Sequence, residues 1–214
     1  MNLFITGIGT NVGKTVVSAV LTEALQADYW KPIQSGVVEG KDSDTVKSLI
    51  TNSKSVFYSV TYLLQEPLSP HFAAKLDGVE IELSKIYNQF VRLSGVEAKS
   101  TNHLIIEGAG GLLVPVNDTQ YVIDIAKEFG CEIVLVISSY LGCINHSLLS
   151  IDYLKRNHFK IKALVFNGEF EPAVKQSIIN YSSESQIIDI PTLNSLNKQH
   201  ILEISNSIKA QNAL

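Results

Sequence analysis

Apolar and polar positions follow two different periods along this chain, and the two alternate. Residues 2–6 form a short, nearly continuous apolar run, which predicts a buried strand. After Lys14 the spacing changes: Val17, Val20, Leu21 and Ala24 fall at i, i+3, i+4 and i+7, one face of a helix. Residues 28–32 predict a second strand that stops at Pro32, and residues 43–50 a short helix. No period is visible over residues 51–70, which end in Glu66-Pro67-Leu68-Ser69-Pro70-His71, so irregular chain is expected there, then a short helix over 72–75. A longer helix is expected over 81–99, with Leu83, Ile86, Tyr87, Phe90 and Leu93 on one face. His103-Leu104-Ile105-Ile106-Glu107 predicts a buried strand ending in a carboxylate, followed by a glycine turn. Helices over 122–129, 144–155, 172–180 and 196–210, interleaved with strands over 132–137, 161–166 and 186–190, complete the pattern. This alternation implies an α/β fold: a mainly parallel sheet with helices on both faces. No repeat, biased stretch or linker interrupts residues 1–214, so a single domain is expected.

Between the first strand and the first helix lies Gly7-Ile8-Gly9-Thr10-Asn11-Val12-Gly13-Lys14-Thr15. Strand, glycine loop, Gly-Lys-Thr and helix are the parts of a phosphate-binding loop, and they identify the fold as that of P-loop nucleoside triphosphate hydrolases. The glycines let several N–H groups turn inward, and the positive end of the helix dipole adds to their pull on an anion. Lys14 is expected to reach the outer phosphates and the Thr15 hydroxyl to ligate Mg²⁺. Ile8 stands where the usual spacing has its first glycine, so the loop starts at Gly7 and is one residue longer.

Composition narrows the partners. A net charge of −4 gives no basic face for nucleic acid or an anionic membrane. No apolar run approaches the roughly 20 residues of a membrane span, and the chain begins directly in a strand, so no leader segment is expected. The only two cysteines, Cys131 and Cys143, have no metal-ligand spacing, and a cytoplasmic location is expected.

Two further stretches carry chemistry. Lys31 precedes Pro32 at a strand end, where open α/β sheets place ligands. Glu107 ends a strand before glycines, the position of a second metal-facing acid in phosphate-loop proteins. Asp42 and Asp44 both lie near the start of a short helix, where an N-terminal capping role is the plain reading of either. Lys14, Thr15, Asp44 and Glu107 together suffice for Mg²⁺ and a nucleoside triphosphate, because Mg²⁺ keeps waters and phosphate oxygens as ligands. A second lysine, Lys31, suits phosphoryl transfer to an anionic acceptor, which must approach a like-charged phosphate. A guanine-nucleotide switch is disfavoured, since Phe166-Asn167-Gly168-Glu169 lacks the lysine and aspartate that read guanine. A partition or septum-positioning ATPase is disfavoured by the absence of a lysine early in the loop.

These segments together resemble the dethiobiotin synthase family. The resemblance rests on the long loop at residues 7–15, Lys31-Pro32-Ile33-Gln34-Ser35-Gly36, Ser43-Asp44, the Glu66 to His71 string, Glu107-Gly108-Ala109-Gly110-Gly111 and Leu141-Gly142-Cys143-Ile144-Asn145-His146. The last third matches through Asn167 and the Ile190-Pro191 step. It implies an ATP-dependent ligase of biotin biosynthesis that closes a ureido ring on 7,8-diaminononanoate with CO₂ or bicarbonate, through a carbamate and a carbamic–phosphoric anhydride. It further implies Lys31 and Lys14 as catalytic lysines, and Thr10 and Ser35 against the diamine. Mg²⁺ is expected on Thr15, Asp44 and Glu107. ATP is expected against Asn11, Val12, Gly13, Lys14, Thr15, Val16, Asp44, Glu107, Gly108, Ala109, Gly110, Asn167 and Pro191. The family is a homodimer, with the substrate's tail carboxylate held across the interface by Gly142, Cys143 and Asn145. Asn11, Tyr140 and Gly168 depart from its common residues. Two rival readings share the architecture. A cobyrinate-type amidating enzyme carries a glutamine-hydrolysing domain for which this chain is too short. Against a switch or scaffold ATPase without ligase activity, the second lysine at Lys31 and the segment from Gly142 to Asn145 favour the enzyme.

Overall fold

The computed structural model describes residues 1–38, 40–95, 103–182 and 185–210. Six parallel strands make the main sheet: β1 (Asn2–Gly7), β2 (Asp28–Trp30), β5 (Leu104–Gly111), β6 (Glu132–Ser138), β7 (Ile161–Asn167) and β8 (Gln186–Ile190), in the order β2-β5-β1-β6-β7-β8. The central strands are the most apolar, as burial on both faces requires. Leu3, Phe4 and Ile5 of β1 and the run Ile133 to Ile137 of β6 are wholly buried.

Helices cover both faces. On one face α1 (Lys14–Leu25), α2 (Asp42–Leu49) and α8 (Lys198–Ala210) enclose Leu3, Ile5, Tyr29, Ile105 and Val134. On the other, α3 (Pro70–Leu76), α4 (Leu83–Gly95), α5 (Val122–Glu128), α6 (Cys143–Arg156) and α7 (Pro172–Ser182) pack over Phe4, Trp30, Ile106, Leu135 and Phe166. Phe129 stacks on Phe90 with ring centroids 4.1 Å apart and closes that second layer. α8 reaches back to the start of the chain, and Ser205 Oγ donates to the Val20 carbonyl at 2.9 Å.

Neighbouring strands β1 and β5 feed helices on opposite faces, α1 and α5. Two strands that part in this way open a crevice at their carboxyl ends, where α/β sheets bind ligands.

Several boundaries differ from the pattern-based expectation. The stretch 51–70 is not wholly irregular: Tyr62–Leu64 forms β4, which pairs in parallel with β3 (Ile33–Ser35) as a separate two-stranded sheet. Three-residue strands are too short to show a period. α2 begins at Asp42 and α3 at Pro70, whose missing N–H costs nothing in a first helical turn. β5 continues through Gly108 to Gly111 where a turn was expected, with Gly111 opposite Gly7. The last residues of the helix expected over 81–99, from 96 on, lie outside the described residues.

One buried carboxylate anchors the chain after α2. Glu23, 4% exposed, accepts from the Thr51 and Asn52 N–H groups at 2.7 and 3.0 Å, the Thr51 hydroxyl at 2.8 Å and the Asn52 amide at 3.2 Å. Burial works against its charge, but these donors outweigh burial and hold it below the ordinary carboxylate value of 4.5. The stabilisation is therefore full above about pH 4.5 and is lost as pH falls through the lower folded-state value. Glu23→Gln is expected to cost about 2 kcal/mol at pH 7. In urea melts the gap to the parent chain should close towards pH 3; a gap independent of pH would refute the charge's role.

Candidate active site

The site is assembled where β1, β2 and β5 end. The backbone folds over after Gly7, passes through Asn11 with φ 58°, and enters α1 at Gly13 with φ 93°. Gly13 has to lack a side chain on two counts: its φ is left-handed, and a Cβ there would lie 2.0 Å from Asn167 Nδ2. Asn167, the last residue of β7, donates its amide N–H to the Val12 carbonyl at 3.0 Å and so ties the loop to the far half of the sheet.

Lys14 is buried, and its ammonium donates to the Gly9 carbonyl at 3.1 Å across the loop. Burial lowers its pKa to about 8; Lys31 pushes the same way, while Glu107 and Asp42 oppose.

A compact polar cluster lies beside it. The Thr15 hydroxyl lies 3.0 Å from Asp42 Oδ1 and 3.0 Å from Glu107 Oε1. The Lys31 ammonium bridges the same two carboxylates, pairing with Asp42 Oδ2 and, at 2.9 Å, with Glu107 Oε1. Glu107 Oε2 accepts from the Tyr29 hydroxyl at 2.9 Å. Burial disfavours the Lys31 charge, yet Glu107 and Asp42 more than offset this and hold its pKa above the ordinary value. Burial likewise opposes the Asp42 charge, and Lys31 with its hydrogen bonds overrides it to keep that carboxyl below its usual range. Burial and the two carboxylates push the Tyr29 phenol well up, so it stays a proton donor.

Lys14, Thr15, Lys31 and Glu107 of the expected set thus converge, while Asp44 does not. It lies on the exposed side of α2, and Asp42 takes the expected place beside Thr15. The reason is helical geometry: residues two apart project to nearly opposite sides. Because α2 starts at Asp42, the first aspartate faces the loop and the second faces solvent. Gln34 fixes this start by accepting the Asp42 N–H at its side-chain oxygen, 3.1 Å away. Thr15, Asp42 and Glu107 are therefore the oxygens that could hold a divalent cation. The ammonium lodged between the carboxylates shows that they are arranged for positive charge.

The other expected residues surround this centre. Gly108, Ala109 and Gly110 continue β5 alongside the loop, and a Cβ on Gly110 would be 3.6 Å from Thr10 Oγ1. Ser35 ends β3 with a buried hydroxyl that has no hydrogen-bond partner among the described residues. Val12 is buried and Val16 half-buried, while Pro191 is exposed just past β8. Thr10 and Asn11 line a cavity of about 640 Å³ whose far wall is Ser138, Ser139, Tyr140 and His146. Gly142 caps α6, Cys143 is buried in its first turn, and Asn145 is exposed. Tyr140 and His146, absent from the expected set, share a hydrogen bond of 2.7 Å between the phenol oxygen and Nδ1.

Residues 1–200 match the family model described as an AAA domain. The ATP-dependent dethiobiotin synthetase of Cytophaga hutchinsonii is 43% identical over 196 residues, which cover 92% of this chain and 91% of that protein. The corresponding protein of Christiangramia forsetii is 45% identical over 177 residues, covering 82% and 80%. The chain belongs to the ATP-dependent dethiobiotin synthetase family. Solved structures of similar shape include the septum site-determining protein MinD of Pyrococcus horikoshii, with a TM-score of 0.56, 13% identity and coverage of 99% of this chain and 98% of that one. A ParA family ATPase of Chlorobium tepidum gives 0.54, 12%, 99% and 93%. At such identities the likeness is one of fold: this chain shares the P-loop ATPase architecture. Among the described residues no helix is long and apolar enough to cross a membrane.

Proposed function

We propose that the chain closes a cyclic urea on 7,8-diaminononanoate, using CO₂ and ATP, as an ATP-dependent dethiobiotin synthetase. One amine adds to CO₂ and loses a proton, giving a carbamate. A carbamate oxygen attacks the γ-phosphorus of ATP, ADP leaves, and a carbamic–phosphoric anhydride forms. The second amine then attacks the carbonyl carbon, the C–O bond to phosphate breaks, and a proton and phosphate depart. The observation that carries this reading is the Lys31 ammonium, buried between Asp42 and Glu107 next to the phosphate loop. Two anions must meet in the first transfer, and positioned cations reduce their repulsion as charge spreads over the phosphoryl oxygens.

Lys14 exchanges its Gly9 carbonyl contact for the outer phosphates. Thr15, Asp42 and Glu107 would hold Mg²⁺, which would supply positive charge against the phosphates. The unpartnered hydroxyl of Ser35, together with Thr10, receives the diamine or its carbamate. The strip from Asn11 to Val16, Gly108 to Gly110, Asn167 and Pro191 envelops the nucleotide.

Two chains associate, and Gly142, Cys143 and Asn145 hold the substrate's tail carboxylate at the N-terminus of α6, where N–H groups favour an anion. Leu141 at the tip of that loop is fully exposed and Leu149 is 61% exposed, an apolar surface suited to a second copy. The free thiols of Cys131 and Cys143 fit a reducing cytoplasm.

Incubation with the diamine, bicarbonate and Mg-ATP is expected to give diamine-dependent phosphate release and a cyclic urea. ATP hydrolysis indifferent to the diamine would favour the switch or scaffold ATPase instead.

A further inference from the structure

Glu107 is 1% exposed, and a carboxylate so buried is costly unless its oxygens are met by donors. Its two oxygens face different ways. Oε1 meets Thr15 and Lys31, on the side where the phosphate loop enters α1. Among the described residues, the hydrogen-bond partner of Oε2 is Tyr29, whose hydroxyl lies 2.9 Å away. The contact follows from the sheet. β2 and β5 are adjacent and parallel, with Tyr29 opposite Ile105, so Glu107 lies two residues further along on the same face. Lys31 is two residues beyond Tyr29 and projects to that face as well. One short strand thus delivers the cation for Oε1 and the donor for Oε2. The Tyr29 ring is fully buried, with the Phe57 ring centroid 5.5 Å away.

We infer that Tyr29 is a positioning residue: its hydroxyl fixes the Glu107 carboxylate so that Oε1 is turned to Thr15, Lys31 and a bound divalent cation. The inference rests on the proposed role of Glu107 as a metal-facing acid. Without the hydroxyl, Oε2 is a buried anionic oxygen that has lost its donor among the described residues, and rotation about the soft terminal torsion of Glu107 relieves it. That rotation withdraws Oε1 from the cation's position. Partners of metal-ligating carboxylates usually govern affinity through this kind of restraint.

Tyr29→Phe removes the hydroxyl and keeps the ring. With saturating ADP, Mn²⁺ binding can be followed through the electron paramagnetic resonance signal of the free ion. Mn²⁺ affinity is expected to fall by ~10-fold, with ADP affinity in EDTA unchanged and, in turnover, the Mg²⁺ requirement raised while the KM for diamine holds. Phe57→Leu disturbs the ring's packing but leaves the hydroxyl, and should not change Mn²⁺ affinity. In a Glu107→Gln background, Tyr29→Phe should alter neither metal binding nor stability, because the charge it serves is gone. The same double variant covers the case in which Tyr29→Phe alone does not fold: recovery of folding on removing Glu107's charge supports the inference, and no recovery overturns it. Parental Mn²⁺ affinity in Tyr29→Phe, or an equal loss in Phe57→Leu, would also overturn it. None of these bindings needs the diamine, so a chain that shows the Tyr29 effect but makes no cyclic urea would overturn the ligase reading alone.

Discussion

Lys31→Ala is expected to lower diamine-dependent phosphate release by at least ~100-fold while ATP still binds, as for removal of a group aimed at developing charge. The phosphate loop, with Lys14 and the N–H groups of its turn, survives the change and continues to grip the nucleotide. What is lost is the cation that lies between Asp42 and Glu107 and beside the expected meeting point of carbamate and γ-phosphate. A second effect follows from burial. Lys31 is 6% exposed and Glu107 1%, so removing the ammonium leaves a buried carboxylate facing that of Asp42, whose side chain is 30% exposed. Breaking such a pair costs about 3 kcal/mol, which for a chain of this length lowers Tm by about 6–12 °C. Mg²⁺ with ADP should restore much of that loss, since a divalent ion satisfies the same oxygens. Turnover within a few-fold of the parent would refute the catalytic assignment. A Tm unchanged in both conditions would refute the buried pairing.

The second large effect separates two aspartates that the sequence leaves equivalent. Asp42→Asn is expected to raise the Mg²⁺ concentration for half-maximal turnover by ~10-fold or more. Asp44→Asn should stay within about two-fold, as is usual for an exposed substitution away from the chemistry. Asp42 Oδ1 faces the Thr15 hydroxyl and Oδ2 faces Lys31, whereas the Asp44 carboxylate is on the solvent side of α2. Titrating Mg²⁺ at fixed ATP in both variants decides the matter. A larger shift for Asp44 would mean that α2 rotates or unwinds by about half a turn when the nucleotide binds.

The sheet and its helices were legible because their signals are long. Three to five apolar residues in a row, as in Leu104–Ile106 and Ile133–Ile137, or an i, i+3, i+4 face, mark an element from its own residues alone. The convergence of Lys14, Thr15, Lys31 and Glu107 was legible for a related reason: each lies at the end of such an element, and ends of parallel strands gather at one edge. Asp42 was not separable from Asp44, since the choice turns on where α2 begins, and Gln34, eight residues earlier, sets that point through a hydrogen bond. Tyr29 was hidden differently. Its alternation with Lys31 is visible in the sequence, but its partner is 78 residues away and becomes a neighbour only when β2 pairs with β5. The strands β3 and β4 were missed because three residues carry no period and, unlike the equally short β2, neither runs up to a proline that ends it; their pairing is as non-local as that of the long strands.

The side chains proposed to react lie in the first half of the chain, yet the loop and helix that present them are tied down from its far end. The Asn167 amide clasps the carbonyl of Val12 across 155 residues of sequence, and Ser205 pins the Val20 carbonyl on the same helix that begins at the loop. A polypeptide severed after Arg156 would retain both lysines, both acids and the threonine, and still present a slack cradle to a triphosphate. The distal third is the brace, and chemistry encoded early in the chain becomes usable only when the last elements have docked.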